Sequence, residues 1–119
     1  MTDPDAPAVG AALPHLVVLV AVGGALGSLA RYGLGEAFAA LPTTLVINVL
    51  GSFLLGVLVA RRPADHWSRP LLGTGVLGGF TTMSAFAVQT VTASLPTAVL
   101  YVATTVVLGI AAAAAGLRT

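Results

Sequence analysis

Asn48 is the residue in this sequence whose position calls most for a chemical account. It lies on a helical stripe with Thr44, Ser52 and Gly56, every fourth residue of a strongly apolar run. An amide near the middle of such a run either ties one helix to another or lines a polar path. Both readings stay open on spacing alone. The neighbouring hydroxyls of Thr44 and Ser52 suit the second, because donors without formal charge can replace water around a small anion and still release it. A second stripe, Gly23, Gly27, Arg31 and Gly35, sets one cation among small residues. Arg31 can snorkel outward from a helix end, the reading favoured by spacing, or it can be buried where it draws an anion or a polar partner.

A third group runs through Gly78, Gly79, Phe80, Thr81, Thr82, Met83, Ser84 and Phe86. Paired glycines followed by β-branched hydroxyl residues make a poor helix, so a break is expected near Gly78–Thr82. Such a break frees carbonyls for a cation and N–H groups for an anion, although a Gly-rich helix crossing has the same composition. Met83 and Phe86 share a face, as packing or as a pore wall. Tyr101, Thr105 and Gly109 form the last stripe, with Tyr101 near enough to a helix start to act as an interfacial anchor.

No constellation here supports enzyme chemistry. The acidic residues lie near ends and loops, and no Ser-His-Asp set or phosphate-binding glycine loop is present. Cysteine is absent, which removes thiol nucleophiles, disulfides and thiolate metal sites. His66 and Trp67 suit a membrane interface.

The elements that must position these residues follow from charge. Of 119 residues 57% are apolar and 8% charged, against about 25% charged in an ordinary soluble domain. A net charge of +1 gives no basic surface for nucleic acid. The charge-free stretches between Asp5 and Arg31, Glu36 and Arg61, and Arg69 and Arg118 each exceed the roughly 20 residues that cross a bilayer. The last would be about 70 Å long as one helix, so it turns back, and Pro96 marks the reversal. Pro14, Pro42 and Pro70 likewise sit at the starts of apolar runs. The reading is an all-α integral membrane protein with four transmembrane helices near 15–37, 43–60, 71–95 and 97–117, the third broken near Gly78–Thr82. Residues 1–14 lack the basic start of a signal peptide and read as a disordered tail, leaving 15–119 as one membrane domain. With four spans, Arg61, Arg62, Arg69 and Arg118 fall on one side, which predicts both termini in the cytoplasm at the cell membrane.

Three motifs in this order, GGALGSLARY (Gly23–Tyr32), NVLGS (Asn48–Ser52) and GGFTTMSAF (Gly78–Phe86), resemble the Fluc (CrcB-type) fluoride channels over nearly the whole chain. The resemblance implies an antiparallel, dual-topology dimer with two fluoride pores and a central structural sodium ion. It implies pore roles for Asn48, Met83, Ser84, Phe86, Tyr101 and Thr105. It also implies sodium ligation by the Gly78 and Thr81 carbonyls, and it matches Arg31 to the Arg of the first-helix motif. Aromatic ring edges are the positive end of the ring quadrupole and can face an anion. Met83 departs from the family, standing where the first of two phenylalanines is expected. The Arg asymmetry departs from the balance an antiparallel homodimer needs, and suggests pairing with an oppositely oriented paralogue as the alternative to a homodimer. The expected function is passive export of cytoplasmic fluoride. The alternatives are a proton-coupled exporter of the small multidrug type, which needs a mid-helix carboxylate that Glu36 does not supply, and a non-conducting partner subunit.

Overall fold

A computed structural model describes residues 9–38, 41–62 and 64–119, and for residues 9–12 and 41 the backbone alone. Among these residues every regular element is a helix. Helix α1 spans Val9–Ala37 and α2 spans Leu41–Arg61. Arg69–Leu77 is wound as a π-helix and runs directly into one α-turn, Gly78–Phe80; the two together are α3. Helix α4 spans Met83–Thr92 and α5 spans Leu95–Leu117. Four stretches are long and apolar enough to cross a membrane: Leu13–Ala37, Pro42–Arg61, Arg69–Thr92 and Leu95–Leu117. The four expected spans are therefore present, the third with its break. Helix α1 begins earlier than the expected start near residue 15, so Pro14 lies inside it. The expected tail is helical from Val9, and its residues 1–8 lie outside the described residues.

Two close helix pairs build the bundle, α1 against α3 and α2 against α5. Small residues allow both approaches. A Cβ on Gly27 would run into the Val76 carbonyl, one on Gly23 into the Leu71 carbonyl and, at 2.9 Å, the Gly75 Cα. Across the other pair, a Cβ on Gly56 would strike the Ala113 carbonyl, and one on Gly116 the Phe53 carbonyl. No described residue has a positive φ, so these glycines serve contact and not a left-handed turn. In lipid, where apolar surface gains little by leaving its surroundings, such backbone proximity supplies the packing attraction.

The break in the third span is sharp. Thr81 (φ −76°, ψ 157°) and Thr82 (φ −143°, ψ 120°) are extended, a conformation that suits their β-branched side chains. Thr82 then caps α4, its hydroxyl accepting from Ala85 N at 3.2 Å. At the other end of the span, Asp65 organises the start of α3. Its carboxylate accepts from Ser68 N at 2.6 Å, Ser68 Oγ at 2.6 Å, Trp67 N at 3.2 Å and Arg69 N at 3.3 Å. Helix α5 starts at Ser94, whose hydroxyl donates to Thr97 Oγ1 at 2.9 Å, with a proline in its first turn.

Two predictions follow from this packing. Gly27→Ala forces α1 from α3 and should destabilise the protein by about 1–3 kcal/mol, the usual cost of overpacking. Gly33→Ala, where a Cβ meets nothing within 4 Å, should be neutral or mildly stabilising. Denaturation of both variants in detergent measures the contrast. The Ser68 hydroxyl, helped by the backbone N–H groups of Ser68, Arg69 and Trp67 and opposed by partial burial, lowers the Asp65 carboxyl from 3.8 to about 2. A depressed folded-state pKa stabilises above the unfolded value and is lost as pH falls through the folded one. Amide exchange protection at Ser68 and Arg69 should therefore hold down to pH 3.8 and fade toward pH 2. In Asp65→Asn that pH dependence should vanish.

Candidate functional site

The break faces Asn48, and the two are tied in both directions. Asn48 Nδ2 donates to the Thr82 carbonyl at 3.1 Å, while Thr82 N donates to Asn48 Oδ1 at 2.9 Å. One side chain thus satisfies both backbone groups of an extended residue inside a membrane span. Asn48 is helix-to-helix glue in this geometry, and it also borders a cavity.

That cavity has a volume of about 410 Å³. Its polar wall is made by Asn48 and Ser52 from α2, by Gly78, Thr81 and Thr82 at the break, and by Thr105 from α5. Met83 and Phe86 add an apolar side from α4. No charged residue lines it. Ser52 gives its proton to the Asn48 carbonyl at 2.8 Å, and Thr81 gives its own to the Leu77 carbonyl at 3.0 Å. Thr105 Oγ1 is buried and has no hydrogen-bond partner.

The break leaves two particular carbonyls without their helical donors. In a continuous helix Gly78 O would receive Thr82 N, which is bound to Asn48 instead. Thr81 O would receive Ala85 N, which is bound to the Thr82 hydroxyl. The adjacent Gly79 carbonyl is met by Arg31 Nε at 3.1 Å and Ser28 Oγ at 3.4 Å. The outward, snorkelling orientation favoured for Arg31 is thereby corrected. Close glycine packing brings α1 near enough to the break for the guanidinium to turn inward and cap it.

The predicted pore residues do not all meet. Asn48, Met83, Phe86 and Thr105 share the cavity with Gly78 and Thr81. Met83 is open, 75% exposed. Ser84 is exposed and off the cavity wall, 3.3 Å from the Thr82 hydroxyl. Tyr101 also lies behind the wall and is no interfacial anchor, being 7% exposed. Its ring packs on Phe86 with centroids 5.2 Å apart, and its hydroxyl donates to Gln89 Oε1 at 2.9 Å. Gln89 was not singled out from the sequence; the available signal was that it is the chain's single glutamine, in the middle of an apolar run. Thr82 was seen only as part of the break, whereas its backbone and hydroxyl hold the site together.

A second cavity of about 400 Å³ adjoins the first. Thr82 lines both, so the Asn48–Thr82 pair stands where they meet. The second cavity is polar in a different way, with Arg31 and Glu36 beside Thr44 and Gln89.

Four apolar spans, the third broken beside a cavity that no charged residue lines, define a multi-pass membrane protein. The family model described as CrcB-like protein, Camphor Resistance (CrcB), matches residues 18–117. A fluoride-specific ion channel, FluC 1, of Rhodococcus jostii is 50% identical over 101 residues, covering 85% of this chain and 82% of that protein. A fluoride-specific ion channel, FluC, of Paracoccus denitrificans is 44% identical over 117 residues, covering 88% and 94%. The chain belongs to the CrcB family, as its three motifs led us to expect.

Asn48→Ala removes both bonds to Thr82 and leaves a buried N–H and C=O without partners. At about 0.5–1.5 kcal/mol per bond, a loss of about 1–3 kcal/mol is expected in detergent denaturation. The Thr82 amide should exchange much faster in the variant, whereas amides of α5 should not change.

Proposed function

We propose that this chain is a subunit of a fluoride channel that lets cytoplasmic fluoride leave passively, and that it is not an enzyme. The observation that carries the reading is the charge-free cavity at the α3–α4 break, apolar over most of its surface with neutral polar groups on one wall, in a chain whose relatives are named fluoride-specific ion channels. Fluoride that enters as neutral acid dissociates inside. An interior-negative potential, about 2.3 kcal/mol per charge per 100 mV, then drives the anion out with no coupled ion. Neutral donors suit that task, because a site must bind well enough to admit the ion and weakly enough to release it. Asn48, Thr105 and the edge of Phe86 are the proposed contacts, with Met83 at the open side. Tyr101 positions Phe86 from behind, and Ser84 acts through Thr82.

A second chain of opposite orientation would close the cavity on the side where Met83 is exposed. Gly78 O and Thr81 O fit a shared sodium ion there, as uncharged oxygen donors whose helical partners are engaged elsewhere. Such an ion would supply a fixed positive charge at the centre of the pair. Arg61, Arg62, Arg69 and Arg118 on one side favour cytoplasmic termini at the plasma membrane. This fixed orientation makes an oppositely oriented paralogue an alternative partner to a second copy.

Coupled export by a carboxylate finds less support, since the cavity at the break has no Asp or Glu and Glu36 lies in the last turn of α1. The exposed Met83 in place of a phenylalanine favours a second reading, a subunit that supports a partner's pore without conducting itself. Purified chain in fluoride-loaded liposomes, with the potential clamped by a potassium ionophore, tests the set. Fluoride efflux indifferent to a pH gradient is expected, severalfold faster in Met83→Phe. Efflux that follows the pH gradient would sink the channel, and none from this chain alone would leave the non-conducting partner subunit.

A further inference from the structure

The end of α2 carries a feature that ion conduction does not use. A groove of about 350 Å³ runs between α2 and α3, walled by apolar residues that include Leu54, Leu58, Leu72 and Val76. Arg61 and Arg62 stand at its mouth, both exposed. Asp65, the carboxylate of the adjoining loop, points its oxygens at Ser68 and the backbone of residues 67–69 and forms no ion pair with either arginine. Arg69 adds a third cation nearby, its Nη2 held by the Arg62 carbonyl at 3.2 Å and its Nε buried without a partner. The Arg62 guanidinium lies over the Trp67 ring, 5.7 Å from its centroid. Arginine and tryptophan so paired belong at the headgroup level of a bilayer, with the groove running from there into the hydrocarbon.

We propose that this groove binds an anionic phospholipid, with an acyl chain between α2 and α3 and the phosphate at Arg61 and Arg62. Charge complementarity selects the occupant. A free anion would use the arginines and leave the apolar walls exposed, and a zwitterionic lipid would fill the walls while bringing its own cation to the mouth. Two arginines sealed under an apolar protein face would lose hydration without gaining a counter-ion. Basic mouths between transmembrane helices on the cytoplasmic side bind anionic headgroups for this reason.

Trp67 is the only tryptophan in the chain, so its emission reports on the lipid beside Arg62. The full-length protein is placed in phosphatidylcholine vesicles containing, at equal mole fraction, either phosphatidylglycerol or phosphatidylcholine brominated high on its chains. Brominated phosphatidylglycerol should quench Trp67 beyond its mole fraction, and the excess should shrink at high salt. The ratio of the two quenching constants cancels changes in Trp67's own emission. In the Arg61→Gln, Arg62→Gln double variant the preference should fall about thirtyfold, from about 1 kcal/mol per basic residue near an anionic headgroup. The salt series needs no variant, so a folding defect in the double variant does not remove the test. Equal quenching by the two lipids, as a second copy covering the groove would give, overturns the proposal. So does a preference that survives the double substitution, or displacement of phosphatidylglycerol by soluble glycerol phosphate, which would make this a free-anion site.

Discussion

A helix can stop inside hydrocarbon only if something other than water takes up the backbone groups it releases. The reciprocal bonds between Asn48 and Thr82 meet that demand, and most of the site depends on them. Because Asn48 takes the Thr82 N–H, Gly78 O loses its helical donor. Because the Thr82 hydroxyl takes Ala85 N, α4 restarts at once and Thr81 O is released as well. Arg31 and Ser28 meet the neighbouring carbonyl of Gly79 from a third helix. They reach it only because Gly23 and Gly27 let α1 lie against α3 at backbone distance. Glycine packing, the inward arginine and the broken span form one arrangement.

Much of this was legible in the sequence, for reasons that are local. Charge gaps count the spans because a charge inside lipid is costly, and Pro42, Pro70 and Pro96 mark starts because proline is tolerated in a first turn, whereas Pro14 lies inside α1. The run from Gly78 to Thr82 announces its break through backbone propensity, and the four-residue stripes announce which faces are small or polar. What stayed hidden depends on relations between helices. Spacing cannot say whether Arg31 turns outward or inward, because its partner is a carbonyl 48 residues away whose freedom depends on the break. Nor does the stripe holding Tyr101 reveal Gln89, since the register of α4 against α5 is set by packing. Ser84 sits in the right motif yet off the cavity wall, because the α4 turn that brings Met83 and Phe86 to the cavity carries its neighbour elsewhere. The π-winding of Arg69–Leu77 also escapes notice. It shifts each hydrogen bond by one residue, which the local sequence does not signal.

The bonds that build the site also decide which donors remain to meet an anion. Ser52 and Thr81 have given their protons to carbonyls of their own helices, and Tyr101 has given its proton to Gln89. Thr105 keeps a hydroxyl with no partner, and Asn48, having two N–H groups and one bond to Thr82, keeps a second donor. Phe86, packed on Tyr101 behind it, also lines the cavity. The count of polar residues therefore overstates the polarity that a solute meets. In the proposed role a small anion would meet a few neutral donors and a soft Met83 here, with Arg31 nearby committed to a backbone carbonyl. Binding at such a place would be shallow, which the proposed conducting path requires and a storage site does not.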